Sequence, residues 1–283
     1  MSTLSVDDAS SFAAGVVNDD VVGHQGNSAW VIDGATDLCD EPLVDPESDA
    51  AWLANLIGRW LTRHPLPPRL EDIIPALTQD AADEFAKQRS RPPVERFEHP
   101  SAAGLILRLD GTELEYLALG DCSLVVESSG GDVVRYGVGD DTGDAGLADR
   151  LSDMGSDATN DGRATIDREG LMPILRDGRR RMNLVPGYGV FSITAPPNEY
   201  VVTERVQVAT GTRLLLASDG FMRLVDVFQA YSLAGLIECA FARGIPAMVD
   251  ELRTMEREDA AGHLFPRAKC HDDASALLGR VVS

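Results

Sequence analysis

The sequence predicts an α+β fold in which antiparallel sheets are covered by helices, not a parallel βαβ series. Three observations predict it. Four short apolar runs, Leu105–Leu109, Leu114–Leu119, Leu124–Glu127 and Val133–Tyr136, follow one another at strand length. Two of their three gaps carry hairpin chemistry, Asp110-Gly111 and Ser129-Gly130-Gly131. The helical patterns come in pairs, one pair between the early and middle strands and one before the last strand, which suits helices laid over antiparallel sheets.

The elements follow in order. Val16-Val17 and Val21-Val22 flank Asn18-Asp19-Asp20; His24-Gln25-Gly26-Asn27 reads as a turn and Ser28–Ile32 as the returning strand. Such a hairpin draws Asp19 and Asp20 toward Asp33. Asp45-Pro46 has the form of a helix cap with proline in the first turn. Leu53, Leu56, Ile57, Trp60 and Leu61 then recur at spacings of three and four, until Pro65, Pro67 and Pro68 stop the helix. A second stripe holds Leu70, Ile73, Ile74, Leu77, Ala81 and Phe85. Pro75 lies within it, so that helix is kinked or begins late. After the four strand-like runs, residues 137–189 form a loop-rich insertion with a helix near 170–177. Asp157, Thr159 and Asp161-Gly162 have the look of a calcium loop, but its twelfth position is Arg168, where a bidentate Glu is needed. Tyr200–Val208 and Arg213–Ala217, around Thr210-Gly211, read as a hairpin; helices follow at 232–243 and 246–258, and Ala274–Val282 closes the chain. With no repeat and no linker, residues 1–283 read as one domain.

Composition narrows the function. The 283 residues hold 46 Asp and Glu against 25 Lys and Arg, a net charge of −21. A field of that sign repels nucleic acid and anionic membranes, and repels phosphate unless cations sit locally. Cys39, Cys122, Cys239 and Cys270 form no C-x-x-C pair, which argues against structural zinc and for reduced thiols in a cytoplasm. The first residues show no signal-peptide pattern and no apolar run reaches membrane-spanning length.

The chemistry lies in the aspartates. Leu214, Leu215 and Leu216 form a strand buried on both faces, which ends at Ser218-Asp219-Gly220; Ala29–Ile32 ends the same way at Asp33-Gly34. Asp272-Asp273 opens the last strand, and Asp121 follows Gly120 between two others. Carboxylates gathered at strand ends must protonate or bind cations, and all-oxygen donors suit Mg²⁺ or Mn²⁺.

Five pieces in order, Asn18-Asp19-Asp20, Val31-Ile32-Asp33-Gly34, Gly120-Asp121-Cys122, Ala217-Ser218-Asp219-Gly220 and Asp272-Asp273-Ala274-Ser275, resemble the metal-dependent serine/threonine phosphatases of the protein phosphatase 2C type. The resemblance implies a four-layer α/β/β/α sandwich with two Mn²⁺ or Mg²⁺ ions between its sheets. By position, Asp33 would bridge the ions, Asp219 and Asp272 would hold the first, and the Gly34 carbonyl and Asp19 the second, with Asp20 acting through water. Asp121 matches the ligand of a third, looser ion, shared with Asp219. The activity implied is attack of ion-activated water on phosphoserine or phosphothreonine in a protein, opposite a cognate kinase, with Asp33 and Asp219 central. The chain departs from the family at Ala35, where many members have His, at Thr36-Asp37, at Cys122-Ser123, and at Gly15, where a phosphate-gripping Arg is expected. These departures keep two alternatives open: a catalytically weak module that binds a phosphorylated partner, and a hydrolase of phosphorylated metabolites. Arg179-Arg180-Arg181 is a basic run that is either a solvated face or a replacement for the missing grip.

Overall fold

The structure, a computed structural model, describes residues 2–137, 168–267 and 269–283. Most of the insertion read at 137–189, including the calcium-loop-like stretch up to 167, lies outside the described residues.

The elements are β1 (Thr3–Phe12), β2 (Val21–Gln25), β3 (Ser28–Gly34), α1 (Asp49–Arg63), α2 (Ile73–Gln88), β4 (Ser101–Asp110), β5 (Glu113–Leu119), β6 (Ser123–Glu127), β7 (Val133–Gly137), α3 (Arg168–Arg180), β8 (Phe191–Ser192), β9 (Val202–Gln207), β10 (Arg213–Ala217), α4 (Asp219–Asp226), α5 (Leu233–Arg243), α6 (Ile245–Glu258) and β11 (Ala274–Val282). One sheet runs β1-β11-β10-β6-β7; the other runs β2-β3-β4-β5-β9, with β8 on β4. Each pairing of strands is antiparallel.

Side-chain alternation makes four layers of these sheets. Trp30, Ile32, Ile106 and Leu117 point to α1 and α2, whose Leu53, Ile57, Ile73 and Leu77 bury against them. Val31, Leu105, Leu107, Leu124, Leu214, Leu216 and Leu277 fill the space between the sheets. Val125, Leu215 and Leu278 turn outward to Phe221, Leu236 and Met248 of α4, α5 and α6. Successive leucines of β10 therefore enter different cores, which is why its sequence shows no polar alternation.

The α+β sandwich is as expected, and four local readings need correction. The residues up to Ser11 carry an unassigned strand, β1; its sequence is rich in Ser and Asp, and Leu4 is its buried apolar residue. Val16 stands fully exposed, and the β2–β3 turn is the tighter Gly26-Asn27, with His24 and Gln25 inside β2. Helix α1 begins at Ser48, whose hydroxyl accepts from Ala51 N at 3.1 Å, not at Asp45. Asp49 then draws in the preceding loop by accepting from Leu43 N at 2.6 Å and Val44 N at 2.7 Å.

The fourth correction concerns sheet membership. The four middle strands are not one meander, because β4 and β5 lie in one sheet and β6 and β7 in the other. Likewise β9 and β10 are not a hairpin: β9 pairs with β5, and β10 with β6 and β11. Pro75 is accommodated by the late start, since α2 begins at Ile73 after a short 3₁₀ turn at Leu70–Asp72. None of the helices among the described residues is long and apolar enough to cross a membrane.

Candidate metal centre

The sheet switches and strand ends bring the acidic segments together. β2 and β3 pair Val21 with Ile32, so Asp19 and Asp20 emerge beside Asp33 and Gly34; Gly34 N donates to the Asp19 carbonyl at 3.2 Å. β10 and β11 pair Ala217 with Ala276, which sets Asp219 beside the 272–273 segment. Ser218 and Ser275 lock that junction: Ser218 N donates to Ser275 O at 2.9 Å and Ser275 N to the Ser218 hydroxyl at 3.0 Å. Asp121 sits where the chain passes between sheets, after Gly120 at φ +76°.

Both Asp-Gly glycines are points of close approach. A Cβ on Gly34 would lie 2.5 Å from the Asp19 carbonyl oxygen, and one on Gly220 only 1.9 Å from that of Asp273. Each glycine admits a second acidic segment against the first. Gly220→Ala should therefore cost about 1–3 kcal/mol, the usual range for overpacking, measured by urea or thermal unfolding; an unchanged midpoint would contradict the close packing.

Asp33, at the end of β3, is half-buried. Burial pushes its carboxyl well above the ordinary range, and the charges of Asp20, Asp219, Asp121 and Asp272 push it further. Those four thus lie within electrostatic reach of Asp33. Asp20 is only 5% exposed, and burial, with Asp273 and Asp272 adding to it, raises its carboxyl to about 7. The Ser275 and Ser218 hydroxyls pull it down, yet neither Asp20 oxygen has a partner with full hydrogen-bond geometry. Asp19 turns the other way, accepting from the Ser48 hydroxyl at 2.6 Å; burial raises its carboxyl too.

Asp272 and Asp273 divide their tasks. Asp273 is a strap, accepting from Ala14 N and from Asp19 N, both at 2.6 Å, so it pins the loop that carries Asp19 and Asp20. Asp272 meets cations on both oxygens, Arg223 Nη2 at 3.0 Å and Lys269 Nζ at 2.5 Å. Arg223, 1% exposed, also reaches the fully buried Glu256 at 3.1 Å. Lys269, about half-exposed at the rim, is held protonated by the charges of Asp272, Asp219 and Asp33. Neither cation was singled out from the sequence. Arg223 was within reach, four residues after Asp219 on one face of α4; Lys269 had no such signal.

Among the described residues, no three His, Cys, Asp or Glu side chains close into a ready coordination sphere. The residues nonetheless fit hard divalent ions. The candidate donors among the described residues are carboxylate oxygens and not a thiolate, because burial drives Cys122, beside them, well above its ordinary value. The orphaned oxygens of Asp20 are a further mark, since a buried charge without a partner is costly and a bound cation supplies one.

No protein-family model matches the chain, and no curated protein matches it. Solved structures do. The serine/threonine phosphatase PstP/Ppp of Mycobacterium tuberculosis is 15% identical, with a TM-score of 0.59 over 99% of this chain and 100% of that one. The catalytic domain of PstP in complex with two manganese ions is 16% identical, with a TM-score of 0.56 over 100% of both chains. The PPM Ser-Thr phosphatase MsPP of Mycobacterium smegmatis is 15% identical, with a TM-score of 0.50 over 100% of this chain and 98% of that one. The chain thus has the fold of the bacterial PPM, or protein phosphatase 2C-type, serine/threonine phosphatases over nearly its whole length.

Proposed function

We propose that this protein is a Mg²⁺- or Mn²⁺-dependent phosphatase of phosphoserine and phosphothreonine in proteins, working against a cognate kinase. The observation that carries the proposal is Asp33, a half-buried carboxyl at a strand end with the charges of Asp20, Asp219, Asp121 and Asp272 around it. Asp33, Asp219 and Asp272 would hold one ion, and Asp33, the Gly34 carbonyl, Asp19 and Asp20 a second; Asp121 with Asp219 would take a looser third. When bound, such ions lower the pKa of water and offset charge on a phosphoryl group. Asp273 fixes the position of the Asp19-Asp20 loop, and Arg223 orients Asp272 from the buried side. Among the described residues, burial keeps the Cys122 thiol protonated and the Ser218 hydroxyl accepts a hydrogen bond from Ser275 N, which favours water over these side chains as the attacking group.

The test is turnover with and without ions. Protein stripped with EDTA should not hydrolyse p-nitrophenyl phosphate or a phosphothreonine peptide, and Mn²⁺ should restore both. No hydrolysis with Mn²⁺ or Mg²⁺ would refute the enzyme and leave a phosphopeptide-binding module, which calorimetry with the same peptide would detect.

A further inference from the structure

The phosphate end of this reaction lacks its cation in the sequence, since Gly15 stands where an arginine is expected. Helix α3 brings arginines to the other side of the site. Arg176 and Arg180, four residues apart, lie over the Phe97 ring at 4.9 and 5.0 Å and dock the helix there. Their guanidinium groups end on carboxylates, Arg176 on Asp40 at 3.0 Å and Arg180 on Glu95 at 3.2 Å, and Arg181 pairs with Asp177 at 3.2 Å.

Arg179 differs. Its Nη2 donates to the Thr36 carbonyl at 3.3 Å, and among the described residues it forms no ion pair. Thr36 lies three residues beyond Asp33, on the loop that leaves β3. The Thr36 hydroxyl also receives Lys269 Nζ, at 3.4 Å. Two cations from different walls thus meet at one rim residue of a carboxylate centre, in a chain of net charge −21. Tyr188 lies beside Arg179 as well. Burial raises that phenol, the Arg179 guanidinium draws it back, and the charge of Asp121 raises it again. Arg179 is tied to the centre through Thr36, whose hydroxyl meets Lys269, which in turn pairs with Asp272. A guanidinium is a fork of five donors that matches phosphate oxygens, and its contacts to the Thr36 carbonyl and Tyr188 leave the remaining donors for a ligand.

We propose that Arg179 is the phosphate-binding residue of this protein, holding the phosphoryl oxygens of a phosphoserine or phosphothreonine above the carboxylate centre, with Lys269 as the second cation at the same rim. The site takes a phosphate monoester dianion and replaces, from α3, the grip absent at residue 15. This rests on the phosphatase reading, and the test separates the two.

The full chain, loaded with Mn²⁺, is compared as wild type, Arg179→Ala, Arg179→Lys and Arg180→Ala. The readouts are KM and kcat on a phosphothreonine peptide, inhibition by inorganic phosphate, Mn²⁺ binding by calorimetry, and Tm. With Arg179→Ala, KM and the inhibition constant for phosphate should both rise roughly 10- to 100-fold, the worth of one charge-assisted bond. Mn²⁺ affinity and Tm should stay at wild-type values. Arg179→Lys should recover part of the loss, since it keeps the charge and loses the fork. Arg180→Ala, which breaks an exposed pair and one of two contacts on Phe97 but leaves Arg176 over the ring, should leave phosphate inhibition unchanged. An unchanged phosphate constant in Arg179→Ala overturns the proposal, as does an equal rise in Arg180→Ala, which would mark a structural effect of the helix. If the wild type hydrolyses nothing, the phosphatase reading fails by itself; direct titration of wild type and Arg179→Ala with inorganic phosphate then decides Arg179.

Discussion

Replacing Asp33 by Asn should abolish ion-dependent phosphatase turnover, by about 10³-fold or more, while raising the Tm of the ion-free protein. The two effects have one cause. Asp33 is held where burial and the charges of four other aspartates oppose its ionisation. The ionised carboxylate is therefore a liability to the empty fold and an asset only when cations share it. Asparagine keeps the shape and one oxygen but removes the charge. The loss of turnover follows from the several kcal/mol that bound ions contribute to a phosphoryl transition state, at about 1.4 kcal/mol per tenfold. The gain in stability follows from removing a carboxyl whose ionisation the fold opposes but the unfolded chain allows. Asp219→Asn should lose activity in the same way, because Asp219 is among the charges acting on Asp33. Kinetics with Mn²⁺ and unfolding in EDTA, on the same preparations, check both halves. An Asp33→Asn protein that is inactive merely because it is less stable would refute the account. So would one that keeps full activity.

Much of this was legible in the sequence because it is periodic. Helices α1 and α2 show their buried stripes at spacings of three and four, and β11 was bounded at Ala274 and Val282 by its apolar run. Sheet membership was not legible. β4, β5, β6 and β10 are buried on both faces, so each reads as a plain apolar run whichever sheet it joins. The turn at Thr210-Gly211 is locally sound hairpin chemistry, yet β9 and β10 part there into different sheets. Around the site, the acidic pairs were visible because each sits at an element's end. Their division of labour was not. Nothing in the spacing of Asp272-Asp273 says that the second carboxylate binds Ala14 N and Asp19 N, more than 250 residues away. Arg223 and Lys269 reach Asp272, and Arg179 reaches Thr36, from three separate elements or loops, and such pairing across long stretches leaves no local pattern.

The ion-free protein should lose stability as pH rises from about 5 to 8, and Mn²⁺ should reverse that trend. Asp20 has its carboxyl raised to about 7 from an ordinary 3.8, first by burial and then by Asp273 and Asp272. Asp37 is raised to about 6, again first by burial, and Asp33 well above its ordinary value. For an acid raised in this way, the folded chain holds its proton more tightly than the unfolded chain. Between the two pKa values the fold is the more protonated state, so stability falls as pH rises. For Asp20, 5% exposed, a rise from 3.8 to about 7 corresponds to roughly 4 kcal/mol lost between about pH 4 and 7, of which roughly 2–3 kcal/mol falls above pH 5. Glu98 acts with the opposite sign at lower pH: its bonds to Arg91 hold it near 2, so its contribution fades only as pH falls below the ordinary 4.5. His99, lowered chiefly by burial, also opposes the trend near neutrality, but it is one group against three. Ordinary surface carboxylates are already ionised at pH 5, so their mutual repulsion does not change across this window. A divalent ion that binds the folded state stabilises it by RT ln(1 + [L]/Kd), and it binds the ionised carboxylates. The Mn²⁺-induced rise in Tm should therefore be larger at pH 8 than at pH 5. Asp20→Asn should flatten the ion-free profile. A Tm that climbs from pH 5 to 8 in EDTA, or a Mn²⁺ shift of equal size at both ends, would show that these carboxylates are not the ionisable core of an ion site.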